Sequence, residues 1–269
     1  MELGTEAQGL RASRRNVVRG AAWSVPVVAV ATAAPAFAAS PCDAQSYRLN
    51  WGNTTGQTVY SKNTSTNVGT ASVSGSSGGG AVTVTFSSST VGTVSRATDN
   101  LTVSTETNIG NLGAGERGLN ISHNDGITAG RGNRQVIQIR FDRDVTGLSF
   151  SLTDIDSSRT NVGTTRNPIY DGWYDRVELS GSPTASTVNS SVIGAGTNTT
   201  ESSSASGPWR HVDDDINVPN AGSSGGNVTV TYPGTIAANA AITLVYWSAI
   251  GGGNQRIFLS DLTFNAKGC

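Results

Sequence analysis

From residue 47 to residue 264, apolar side chains recur at every second position in short runs, and each run is closed by Gly, Asn, Asp or Ser. A period of two is the pleat of a strand with one buried face, and it is incompatible with the three-to-four spacing of an amphipathic helix. Tyr47, Leu49 and Trp51 share one face of a first strand, and Val82, Val84 and Phe86 share one face of another. The same alternation runs through Ile137, Ile139 and Phe141, then Leu148, Phe150 and Leu152, then Val177 and Leu179. It returns in Val228, Val230 and Tyr232, and in Ile242, Leu244 and Tyr246. Between Ile257 and Phe264 the parity changes near Ser260 and Asp261, which predicts a β-bulge. Weaker strands are expected near Leu101–Val103 and Leu119–Ile121, and the Ser/Thr/Asn-rich tracts 53–78 and 184–207 read as long polar loops.

Composition points the same way. The chain carries 33 glycines in 269 residues, which suits turns and strands better than helices. Only 14% of its residues are charged, against about 25% in ordinary globular chains. A formal net charge of −1 offers no basic field to neutralise phosphates, so a nucleic-acid partner is excluded. The expected fold class is all-β, an antiparallel two-sheet sandwich of jelly-roll type.

Residues 1–38 read as an address. Arg14 and Arg15 open a Ser-Arg-Arg-Asn-Val-Val-Arg segment, an apolar stretch runs from Ala21 to Ala34, and Ala36-Phe37-Ala38 places small residues before a peptidase site. The paired arginines fit a twin-arginine signal, with cleavage expected between Ala38 and Ala39. The apolar stretch is shorter than the ~20 residues that cross a bilayer and contains Pro26. A cleaved leader is therefore expected, followed by one extracellular domain, residues 39–269, with no membrane span.

Cys42 and Cys269 are the only cysteines. In an exported chain a disulfide is the default for such a pair, and metal ligation would need more ligands than these two. A bond requires Cα atoms about 4.4–6.8 Å apart, so both ends of a single domain are expected to meet.

The leader from Arg14 to Val30, the segments Ser40-Pro41-Cys42 and Tyr47-Arg48-Leu49-Asn50-Trp51-Gly52, the stretch from Phe141 to Asp156, and Asp175-Arg176-Val177-Glu178-Leu179-Ser180 resemble the twin-arginine-exported surface proteins of actinobacteria. That group is largely uncharacterised. The resemblance implies a bacterial extracellular location and a β-sandwich, and it brings no activity with it. Such proteins often end in a wall-sorting tail, whereas this chain stops at Lys267-Gly268-Cys269, so release is expected.

Asp154-Ile155-Asp156 is the most pointed chemical feature. Strict alternation from Leu148, Phe150 and Leu152 would bury Asp154, where an unpaired carboxylate is costly. The strand is therefore expected to end or bulge at about Thr153, leaving Asp154 and Asp156 at the sandwich rim. Together with Asp175, across a long loop from Ser157 to Asp175, these acids offer hard oxygen ligands for a structural Ca²⁺. Turn capping and pairing with Arg159 or Arg176 is the competing reading of the same acids. Tyr170, Trp173 and Tyr174 cluster around Asp171, and Trp209 precedes Asp213-Asp214-Asp215; such rings can stack on sugars or simply pack.

His123 and His211, the only histidines, sit in polar surroundings and read as solvent-exposed. No Gly-X-Ser-X-Gly elbow is present, and no catalytic residue is assigned. The sequence thus points to a secreted, non-catalytic β-sandwich for adhesion or glycan recognition, with calcium as its candidate ion. The alternatives are a structural or protein-partner module of the envelope, and a secreted glycoside or ester hydrolase. Oligomeric state is not legible.

Overall fold

Seventeen strands and no helix form among residues 42–53, 56–124, 129–166, 170–187, 190–196, 207–251 and 253–269, which are those described by this computed structural model. The leader, with Arg14, Arg15 and the Ala38–Ala39 bond, lies outside them, as does the side chain of Tyr170.

Eight strands form the first sheet: β1 (Ala44–Leu49), β5 (Ser95–Arg96), β6 (Leu119–Asn124), β8 (Val145–Thr153), β11 (Thr184–Thr187), β14 (Val228–Ile236), β16 (Asn254–Leu259) and β17 (Leu262–Lys267). Seven form the second: β2 (Thr58–Asn63), β3 (Val68–Val73), β4 (Val82–Val91), β7 (Arg134–Phe141), β9 (Ser157–Asn161), β10 (Tyr170–Leu179) and β15 (Ile242–Ser248). A two-stranded ribbon, β12 (Val192–Ile193) with β13 (Arg210–His211), forms a third small sheet, tied to β10 through the bridge of Trp209 with Val177.

Every strand pairing is antiparallel. The second sheet runs β2-β3-β4-β7-β15-β10-β9. In the first, β8 lies between β14 on one side and β16 with β17 on the other; β16 passes to β6 and β17 to β1. The inward faces of both sheets feed one hydrophobic cluster, from Val84, Phe86, Ile137 and Ile139 of the second to Leu148, Phe150, Ile257 and Phe264 of the first. Aromatic contacts bridge the layers: Phe141 meets Phe264 at 5.0 Å and Trp51 meets Phe86 at 5.6 Å between ring centroids.

The alternation read from the sequence is the alternation of burial in these strands. The parity change at Ser260 and Asp261 is where β16 gives way to β17. Ser260 exchanges hydrogen bonds with Ser151 there, through its own N–H and through its hydroxyl, which accepts from the Ser151 amide at 2.7 Å. The buried carboxyl of Asp261 accepts from the Trp51 amide at 2.8 Å and from Arg48 Nε at 2.9 Å. Cys42 and Cys269 are bonded, with Cα atoms 4.8 Å apart.

Other expectations are corrected. Tract 53–78 contains the hairpin β2–β3. Its inward positions are as small as Gly69 and Ala71, so hydrophobic periodicity barely registers, and Tyr60 fills the space a side chain on Gly69 would need. Segment 157–175 contains β9 and the start of β10, and tract 184–207 contains β11 and β12. Leu101–Val103 forms only an isolated bridge, Val103 with Leu119.

Candidate ligand-binding cleft

At Asp154 the backbone takes φ of +69°, a left-handed conformation that Asp tolerates better than most residues. One residue out of register is enough to reverse facing: Leu152 and Ile155 both enter the core, so Asp154 and Asp156 turn away from it. The turn is held by the Ile155 amide donating to Gly226 O at 3.0 Å. A Cβ on Gly226 would stand 2.6 Å from that same nitrogen, so the approach requires glycine. Strand β8 ends at Thr153 as expected, but Asp154 and Asp156 do not reach an open rim: they are 7% and 4% exposed.

Both acids line a polar cleft of about 660 Å³. Its wall is assembled from distant segments: Arg96 to Asp99, Ser122 and Asn124 of β6, Trp173 of β10, Asn217 and Asn220, and Asn254 to Arg256 of β16. Trp173 is half-buried, and its indole N–H donates to Asp156 Oδ1 at 2.7 Å. Gly172, at φ of +144°, sets that ring: a Cβ there would fall 1.9 Å from Ser158 O, so only glycine lets β9 and β10 approach this closely.

The second oxygen of Asp156 accepts from the Val218 amide at 2.8 Å. Burial pushes the Asp156 carboxyl up to about 6, although both of these donors oppose the shift. Asp154 is 7% exposed and its Oδ1 has no hydrogen-bond partner among the described residues. Burial first, then the neighbouring Asp156, holds its carboxyl well above the usual carboxylate range; Arg256 acts in the opposite direction. That guanidinium is divided between Asp99 and Glu106, 3.8 Å from each.

Asp175 lies behind the cleft wall. The parity of Val177 and Leu179 carries it fully into the core, where its oxygens accept from Tyr246 Oη at 2.7 Å and from the Asp156 amide at 3.2 Å. Burial and the charge of Asp156 raise its carboxyl well above the ordinary value. Of the three acids expected as calcium ligands, then, the structure brings Asp154 and Asp156 to the cleft and leaves Asp175 engaged by its own chain. Among the described residues, no group of three or more His, Cys, Asp or Glu side chains could hold a metal ion.

Of the aromatics expected to meet a sugar, Trp173 lines the cleft. Tyr174 is buried and its hydroxyl accepts from Arg159 at 3.0 Å. Trp209 is 1% exposed and exchanges backbone hydrogen bonds with Val177, so its ring belongs to the core. Both histidines are buried, contrary to expectation. His123 sits edge-on to Tyr246 at 4.6 Å, and burial lowers it to about 4 despite the Gln135 side chain beside it. His211 accepts from the Asp213 amide through Nδ1. The polar letters around them suggested loops, whereas strands β6 and β13 carry both. Asn124, Asn217, Asn220, Asn254, Arg96 and Arg256 gave no sequence signal as a group, since no two of their segments are adjacent in the chain.

These buried acids make stability depend on pH. Asp154, Asp156 and Asp175 keep protons in the folded state at pH values where the unfolded chain has shed them, so stability falls as pH rises above about 4, the ordinary carboxyl value. His123 acts oppositely, but only between about 4 and its ordinary 6.5. As pH rises above about 4 the melting temperature is therefore expected to fall, by about 3–5 °C per unit for each carboxyl still protonated, with His123 offsetting part of the decline below about 6.5. Asp154→Asn should flatten that decline and gain on the wild type as pH rises. A wild-type melting temperature that does not fall as pH is raised from about 4 would contradict the assignment.

Comparison with protein-family models, curated proteins and solved structures finds no match to this chain.

Proposed function

We propose that the protein is a secreted, non-catalytic glycan-binding protein of the bacterial cell surface, and that the cleft holding Trp173, Asp154 and Asp156 is its binding site. The observation that carries this reading is an indole oriented by a buried carboxylate in a cleft otherwise lined by amides, hydroxyls, acids and arginines. An aromatic ring takes the apolar face of a sugar, and the side-chain amides and charged groups take its hydroxyls. The capping of both Asp156 oxygens by N–H donors favours a positioning role for that acid over that of a nucleophile or base. Export through residues 1–38 is part of the proposal, and the Cys42–Cys269 bond supports an oxidising destination.

The fold assignment is also finer than two antiparallel sheets. We infer a sandwich of jelly-roll type, supported by the nested pairs β6 with β16, β7 with β15, and β8 with β14. Such nesting arises when one long hairpin is rolled so that successive pairs alternate between layers.

Calcium held by Asp154 and Asp156 is the second reading, favoured by the uncompensated Asp154 carboxyl. For the leading reading, the secreted protein applied to a glycan array should retain a restricted set of saccharides. Trp173→Ala should lose at least tenfold in affinity for them while melting within a few degrees of the wild type. Unchanged binding by Trp173→Ala would remove the cleft from the function, and an array without signal would remove glycans.

A further inference from the structure

Two buried oxygens on the cleft wall, Asp154 Oδ1 and Asn124 Oδ1, have no hydrogen-bond partner among the described residues. A buried acceptor without a donor is costly, and costlier when it belongs to an ionisable group. Arg256 Nε, on the same wall, is a buried donor without an acceptor. We propose, building on the glycan reading of this cleft, that its ligand is an amino sugar with a free ammonium group, the ammonium seated at Asp154 Oδ1 and Asn124 Oδ1 and the sugar ring against Trp173.

Three alternatives fit less well. A neutral hydroxyl could pair with Asp154 but would bring it no opposite charge, and the neighbouring guanidinium is already shared by Asp99 and Glu106. A charge-assisted bond is about twice as strong as a neutral one, and it returns the carboxyl to its ionised form. An anionic sugar would meet Asp99, Asp154 and Asp156 in the same cleft, where Arg96 is occupied in part by Ser88 O at 3.1 Å. Calcium asks for about six to eight oxygens, whereas the oxygens of Asp156 and Asp175 already accept from Trp173, Val218, Tyr246 and the Asp156 amide.

An ammonium has three donors and no acceptor, which suits a wall with unpartnered acceptors. A hydroxyl on the neighbouring carbon supplies the acceptor that Arg256 Nε lacks. Trp173 adds a ring face that favours a cation as well as a sugar.

The test titrates the purified secreted protein, in chelator at pH 7, with a glucosamine oligosaccharide, its fully N-acetylated counterpart, a glucose oligosaccharide, a uronate oligosaccharide and an oligolysine peptide. The expected result is binding of the glucosamine oligosaccharide at least tenfold tighter than of every other probe, with the preference lost in Asp154→Asn. The acetylation arm uses only wild-type protein, so it decides the matter even if the variant misfolds. Equal or tighter binding of the acetylated, glucose or uronate oligosaccharide would overturn the ammonium assignment while leaving a glycan ligand in place. Tighter binding of oligolysine would overturn it in favour of a protein partner. Saccharide binding that appears only when calcium replaces chelator would overturn it in favour of a metal. Failure to bind any saccharide with or without calcium would overturn the glycan reading along with it.

Discussion

Protein carrying Cys42→Ala and Cys269→Ala is expected to melt about 10–20 °C below the wild type, because the bond closes so long a loop. The two cysteines are 227 positions apart. Chain entropy for a loop of that length amounts to about 5 kcal/mol of denatured-state constraint. The folded ends do not depend on the bond alone. Strands β1 and β17 pair along their whole length, Gly268 N–H donates to Asp43 O at 3.1 Å, and Gly80 N–H donates to Gly268 O at 2.7 Å. Arg143 reaches Lys267 O at 3.0 Å. The double variant should therefore fold to the same structure, with unchanged circular dichroism, and lose stability through its less restricted unfolded chain. A melting temperature within 3 °C of the wild type would contradict this account.

Replacement of Trp51 by alanine is expected to destabilise the protein by about 3–5 kcal/mol, the range for deleting a buried aromatic. Trp51 is 1% exposed and stands where the first sheet is irregular. Its indole N–H donates to Ser260 O at 2.8 Å, and its amide to Asp261 Oδ1, so both bulge residues are fastened by one tryptophan. On its other side the ring meets Tyr60 edge-on at 5.2 Å and Phe86 at 5.6 Å, both from the second sheet. Trp51→Phe keeps much of that packing but leaves Ser260 O without its donor, a loss of about 1–3 kcal/mol. Urea midpoints should fall in the order wild type, Trp51→Phe, Trp51→Ala at constant slope. An unfolding free energy for Trp51→Ala within about 1 kcal/mol of the wild type would show that the bulge is held by other contacts.

The fold was legible wherever inward side chains are large. Val82, Val84 and Phe86, or Ile242, Leu244 and Tyr246, announce strands because alternation is visible only when burial selects bulky residues. In β3 the inward positions are Gly69, Ala71 and Val73, and the same geometry leaves almost no trace in the letters. The candidate site divides similarly. That β8 must end at Thr153 followed from the cost of placing Asp154 in the apolar core, and the left-handed turn there carries it to the cleft wall instead, where it is still buried. The same parity argument run backwards from Leu179 and Val177 puts Asp175 inside, so its burial was written in the strand while its acidic side chain suggested the rim. His123 shows the converse: its neighbours Ser122 and Asn124 look like loop residues because they face the polar cleft, not because the strand has ended. The cleft as a whole is lined by six separated segments, and only folding brings them together.

Crystals of the protein grown with a glucosamine oligosaccharide test the central claim most directly. The account predicts a sugar ring against the Trp173 indole, with its amino nitrogen within hydrogen-bond distance of Asp154 Oδ1. A saccharide bound elsewhere on the sandwich, with the cleft between Trp173 and Asp154 unoccupied, would contradict it.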